Sequence, residues 1–287
     1  MAQPSKAIFF LMPEWQGSAS SRAMLLIDGA GHLRGDLPPS ARIDVPVPAQ
    51  AGDALGTPIA RLSSVLAARD AAREALRANA QASSAITVGG DSASTLAGIE
   101  RAVELDDRAA VLWFDAQPAF QHPSTSPTGA ASGMTLRHAL GEGSPELNSA
   151  HPLPADRVLL VGTREVDPEE AEGMSELLLR SEPAGDADEA SFAAAIVSWL
   201  EEVGATSLYV HLDLDVLDPA EFASVHAPVP FGVPVAHLTA AIRAAVARVP
   251  LAGAAICEFA PVDAAMSDED APTVLRILAA LTSGGRE

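Results

Sequence analysis

Positive charge is what this chain has least of. Its 287 residues carry 18 Lys and Arg against 38 Asp and Glu, a formal net charge of −20, and Lys6 is its one lysine. A field of that sign repels phosphate backbones and anionic headgroups, which argues against nucleic acid or a membrane surface as partner. Cysteine is nearly absent too. The one thiol, Cys257, excludes an intrachain disulfide framework and fits a reducing, cytoplasmic setting; within AAICEFA it reads as a buried, inert side chain. Long apolar runs are missing as well: AIFFLM after Lys6 ends at Pro13 after six residues, too short for a signal-peptide core or a membrane span.

What is present is a globular composition, 48% hydrophobic and 20% charged, on a chain long enough to bury a sizeable core. Short apolar runs alternate with helical patterns. Strands are expected at 6–12, 84–90, 109–116, 156–165, 206–216 and 251–260, and helices at 61–80, 92–105, 169–180, 190–203, 235–249 and 271–283. Strand followed by helix, repeated about six times, predicts a mostly parallel sheet with helices on both faces, one α/β domain over 1–287. Three stretches read as loops: the Pro- and Gly-rich 36–56, the non-periodic 116–134, and the acidic linker 181–189.

Polar residues fall where strands end. Asp91, Asp115, Arg164 with Glu165, Asp213 with Asp215, and Glu258 each follow an apolar run, and open parallel sheets bind ligands outside those ends. In HLDLDVLDP, strand alternation would place His211, Asp213 and Asp215 on one face. Like charges that close need a cation or shifted protonation, and a divalent metal is the simplest companion. Asp218-Pro219 reads as a turn. GGDS lacks the spacing of a phosphate loop, so Asp91 or Ser92 is expected to cap the next helix. His32, His138, His151 and His237 read as solvated or capping; His122 and His226 lie near candidate site loops.

With those residues in place the chain resembles the arginase/agmatinase (ureohydrolase) family. That family's pattern runs G-G-D-H, D-A-H-x-D, H-G-M, S-x-D-x-D-x-x-D-P and E-x-x-P. Here it stands as GGDS (89–92), DAQPA (115–119), SGM (132–134), HLDLDVLDP (211–219) and EFAP (258–261), with GTREVDPEE (162–170) similar to a further conserved segment. The resemblance implies a three-layer α/β/α fold, assembly into trimers or hexamers, and two manganese ions that activate a hydroxide to attack a guanidinium carbon. By the same resemblance, Asp115, Asp213 and Asp215 are metal ligands and Glu258 orients the substrate guanidinium. Thr128, Gly129, Ser132, Asp167 and Glu170 are substrate-binding positions.

The other three of six ligand positions hold Ser92, Gln117 and Ala119, and the histidine of H-G-M is Ser132. The ordinary two-manganese centre is therefore not expected. Two functions remain open. In the first, the chain binds a small guanidino or amine cation between Asp115, Asp213, Asp215 and Glu258, or serves as a scaffold or regulatory subunit, with an active paralogue as a conceivable partner. In the second, it hydrolyses a linear amidine C–N bond with one manganese or other divalent ion, Gln117, His211 or His122 completing the site. The 116–134 loop has no arginine or lysine to grip a carboxylate, which favours a simple guanidine or amine over an arginine-like amino acid.

Overall fold

The computed structural model describes residues 7–185 and 187–285; Lys6 of the expected first strand and Asp186 of the expected linker lie outside them. Eight strands form one sheet: β1 (Ile8–Leu11), β2 (Arg42–Asp44), β3 (Ala85–Val88), β4 (Ala109–Phe114), β5 (Val158–Val161), β6 (Arg180–Glu182), β7 (Ser207–Asp213) and β8 (Leu251–Cys257). Every pairing is parallel, in the order β2-β1-β3-β8-β7-β4-β5-β6. The helices are α1 (Leu25–Asp36), α2 (Leu62–Ala78), α3 (Leu96–Leu105), α4 (Thr135–Ala139), α5 (Pro168–Glu176), α6 (Glu189–Glu202), α7 (Val235–Arg248) and α8 (Ala264–Leu281).

A sheet covered on both faces needs strands that are apolar on both, and AITV, AAVLWF and VLLV of β3, β4 and β5 are buried throughout. Alternation divides the two layers. Ala110, Leu112 and Phe114 of β4 join the core under α1, α6, α7 and α8, while Val111 and Trp113 join the one under α2, α3 and α4. The fold is thus three-layered, helix on sheet on helix, as expected.

The differences from the sequence reading have local causes. β2 falls inside the expected 36–56 loop and β6 overlaps the expected 181–189 linker; both are three-residue edge strands, RID and RSE, with no apolar run to reveal them. α1 was not expected because three glycines, Gly29, Gly31 and Gly35, weaken its helical pattern. α4, at five residues, is too short for a period to register. α5 ends at Glu176 rather than 180. α8 starts at Ala264, not 271: Asp263 caps it by accepting from the Met266 amide, and Pro272 lies inside it instead of opening it. His138 is fully buried in α4, not solvated.

One contact ties this framework to the sheet edge that carries the site. Gly29 of α1 packs so tightly on the segment after β8 that an added Cβ would lie 2.1 Å from the Phe259 carbonyl oxygen, next to Glu258. Gly29→Ala is expected to cost about 1–3 kcal/mol through overpacking, seen as a lower urea midpoint. At Gly31 a Cβ meets nothing within 4 Å, so Gly31→Ala should leave stability unchanged or raise it by up to about 1 kcal/mol.

Candidate functional site

Four adjacent strands, β3, β8, β7 and β4, end side by side, and each delivers carboxyl groups to the same edge. Asp91 follows β3 and caps the 3-10 turn Ser92–Thr95 through the Ala93 amide, as expected of that position. Glu258 follows β8 with φ +65°, a backbone turn uncommon for a non-glycine residue. Asp213 is the last residue of β7, and Asp115 follows β4 directly. Glu258, Asp213 and Asp115 line a cavity of about 590 Å³, and Asp91 is buried outside its lining.

Asp215 corrects the sequence reading. β7 stops at Asp213, and Asp215 lies in a 3-10 turn, Leu214–Val216, so it is not in strand alternation with His211 and Asp213. The turn still brings it to the cavity wall. His211 stays in the strand beneath the wall, fully buried and stacked on Trp113 with ring centroids 3.7 Å apart. Its Nε2 lies 3.9 Å from Asp115 Oδ2.

Of the remaining expected site residues, Ser92, Gln117 and Ala119 line the cavity, as do Thr128 and Ser132. Asp167 and Glu170 line it too, but their side chains form the reciprocal cap of α5, and Glu170 also accepts from the Phe120 amide at 2.9 Å. Gly129 is not in the lining: its φ is +66° and its carbonyl takes the Ala60 amide. His122 is outside as well, bonded to Ser124. Asp218 has the turn role expected of it, accepting from the Ala220 and Gly232 amides. Cys257 is buried, as expected.

Sequence reasoning missed one wall. Ser18, Ala19 and Ser20, on the segment after β1, line the cavity; they stand well past Leu11, so a rule that reads the residues directly after a strand does not reach them. Glu165, Gln121 and His226 complete the rim.

Among the described residues seven carboxyl residues line this cavity and no lysine or arginine does. Burial first, and then Asp213, pushes the Asp115 carboxyl well above the ordinary range. Burial and Asp115 do the same to Asp215, and burial and Asp215 to Asp213. Asp115 also accepts from the Trp113 indole at 3.1 Å. Burial and Glu258 push Asp91 up to about 7. Main-chain amides supply part of the compensation: Gln117 to Asp115 at 2.8 Å, Ala116 to Asp215 at 3.1 Å, and Gly17 to Asp91 at 2.7 Å. The nearby guanidinium, Arg164, donates instead to the carbonyls of Gly162, Asp215, Val216, Leu217, Val229 and Pro230.

These contacts test whether the pair of manganese ions implied by the sequence resemblance would fit. Ser92 donates its hydroxyl to Asp213 Oδ2 at 2.7 Å, Gln117 donates its amide to Glu165, and Ala119 offers no donor atom. Of the six family positions, three carboxyls and the Gln117 carbonyl oxygen are then left for two ions, each of which needs several fixed ligands. The residues present do not fit a two-ion centre of that form. A smaller group does have metal-like geometry: ligand atoms of Asp115, His211 and Asp213 all lie within 4.8 Å of one another. Burial holds the His211 imidazole near 3, hence neutral, and neither ring nitrogen has a hydrogen-bond partner.

Comparison with known proteins agrees with this framework. The arginase family model matches residues 34–282. The N(omega)-hydroxy-L-arginine amidinohydrolase of Streptomyces lavendulae is 28% identical over 284 residues, 92% of this chain and 94% of that protein. The arginase of Entamoeba histolytica is 30% identical over 155 residues, about half of each chain (52% and 52%). The crystal structure of Entamoeba histolytica arginase with L-ornithine superposes with a TM-score of 0.83 at 21% identity, covering 97% of this chain and 98% of that one, which shows a shared fold. The family model spans most of the chain, and the chain belongs to the arginase family.

Proposed function

We propose that this protein binds a small guanidinium or amine cation in the carboxylate-lined cavity and does not carry out two-manganese hydrolysis in the family's usual form. The observation that carries this reading is the cavity itself: seven carboxyl residues without a lysine or arginine, with Ser92 bonded to Asp213 where the family pattern has a histidine. A guanidinium matches such a wall because it donates paired, charge-assisted bonds to carboxylates. The relatives' names support the ligand class, since arginine and N-hydroxyarginine both carry a guanidino group. Among the described residues no lysine or arginine lines the cavity, and the ring of His226 already faces Glu258, which favours agmatine-like ligands over amino acids. A scaffold or regulatory role, trimeric or hexameric assembly and a cytoplasmic location remain part of the proposal. No helix among the described residues is long and apolar enough to cross a membrane.

A second reading has its own observation. Asp115, His211 and Asp213 offer an oxygen–nitrogen–oxygen set for one divalent ion, and the unpartnered, buried imidazole is a ligand type. In this reading the protein retains metal-dependent hydrolysis of a linear amidine.

Metal analysis after growth in manganese-supplemented medium separates the two. No bound metal is the expected result; one equivalent that disappears in His211→Ala would favour the second reading, and two equivalents would refute both. Calorimetric titration of metal-depleted protein with agmatine should show saturable binding. Glu258→Gln should weaken it about 10- to 100-fold, the worth of a hydrogen bond to a charged group. If neither agmatine nor arginine binds, the cation-site proposal is wrong.

Stability against pH gives an independent check. A carboxyl whose pKa is raised by folding stabilises the protein at low pH, and that stabilisation is lost as pH rises through the folded value. Asp91 at about 7, with Asp115, Asp213 and Asp215 also raised, should make the ligand-free protein less stable at pH 8 than at pH 5. Asp213→Asn should raise the urea stability at pH 8 by on the order of 1 kcal/mol, the equivalent of one pKa unit, with little effect at pH 5. Saturating agmatine should flatten the wild-type pH dependence.

A further inference from the structure

His226 is the one histidine in the cavity lining, which among the described residues holds no lysine or arginine. It lies between the Asp218–Pro219 turn and α7, and its ring is 6% exposed. Nδ1 approaches Glu258 Oε2 at 3.0 Å, an ion-pair contact rather than an aligned hydrogen bond. Nε2 lies 2.9 Å from the Arg22 carbonyl oxygen. A carbonyl oxygen only accepts, so Nε2 carries a proton. Without a second proton, Nδ1 would set a lone pair beside a carboxylate oxygen. Both ring nitrogens therefore face oxygen atoms that accept, which suits the imidazolium form held against Glu258, a carboxylate of the cavity wall.

The main chain reinforces the arrangement. Arg22 Nη2 donates to the His226 carbonyl at 3.2 Å, so the segment that follows the lining residues Ser18, Ala19 and Ser20 is tied to the one that carries His226 and Ala227. Further along the same loop, Arg164 fixes Val229 and Pro230. The His226 ring can leave Glu258 by side-chain rotation while the loop stays anchored on both sides.

We propose that His226 is a built-in occupant of Glu258, and that a ligand enters only by replacing it. This rests on the cation-binding reading and narrows it. A guanidinium brings a planar fork of donors that can bond Glu258 bidentately and so replaces the imidazolium. An ammonium is a strongly hydrated point charge without that fork, and it exchanges poorly. His226 thereby selects guanidino ligands over amines.

The test is calorimetric titration of metal-depleted, full-length protein with agmatine and with putrescine, the corresponding diamine that lacks a guanidinium. In the wild type, agmatine should bind and putrescine should bind at least tenfold more weakly. His226→Ala should tighten agmatine by about tenfold and bring putrescine to within a few fold of it. In the Glu258→Gln background, His226→Ala should have no such effect, because the competition is for that carboxylate. A merely structural histidine would not produce that coupling. If His226→Ala fails to fold, as judged by thermal denaturation, His226→Gln should shift both affinities in the same direction. Unchanged or weaker agmatine binding in a folded His226 variant, with wild-type binding intact, would overturn the role of His226 alone. Absence of agmatine binding in both wild type and variant would overturn this role together with the cation site.

Discussion

The structure is organised around carboxyl groups that the sheet buries at its carboxyl edge. β3, β8, β7 and β4 lie side by side, and apolar strands with covered faces leave their ends as the one place where polar chemistry can gather. Asp91, Glu258, Asp213 with Asp215, and Asp115 gather there. Removal of ionised groups from water on that scale has to be balanced. The chain draws on main-chain amides, on the Ser92 hydroxyl, on the Trp113 indole and on the His226 ring. Arg164, the one guanidinium at hand, is committed to backbone carbonyls and contributes only its field.

Fold and chemistry separate cleanly in this molecule. What shapes the sheet edge is a set of features that need no metal: Gly29 pressed on Phe259, alternating apolar residues on both sheet faces, and the reciprocal cap Asp167–Glu170 on α5. Ser92, Gln117 and Ala119 take part in none of these, and the first two make side-chain contacts of their own, with Asp213 and Glu165. Such a separation is what a scaffold permits, because activity resides in the site rather than in the fold.

Much of this was legible in the sequence. Continuous apolar runs gave the six inner and near-inner strands, and residues just beyond them gave Asp91, Asp115, Asp213 and Glu258. Other parts carried no sequence signal. RID and RSE are edge strands with one flank open, so they have no apolar requirement to betray them. Strand adjacency is a three-dimensional property: nothing in residues 85–88 and 251–257 says that they pair. The 3-10 turn at Leu214–Val216 broke a period-two expectation that was correct up to Asp213. His226 was noticed only as near a loop, since its contact with Glu258 joins residues 32 apart in sequence through two different strand-following segments.

Arg164 has a consequence for how such a pocket changes over generations. Its guanidinium pins residues 215–217 and residues 229–230 to a common point, so the stretch between them, which brings His226 and Ala227 to the cavity, hangs from two fixed posts. Chain closure between fixed ends grows costlier only with the logarithm of length. Insertions or deletions in 219–228 can therefore recut the opening while Asp215 stays where it is, which makes this short span the natural ground for diversification of ligand preference.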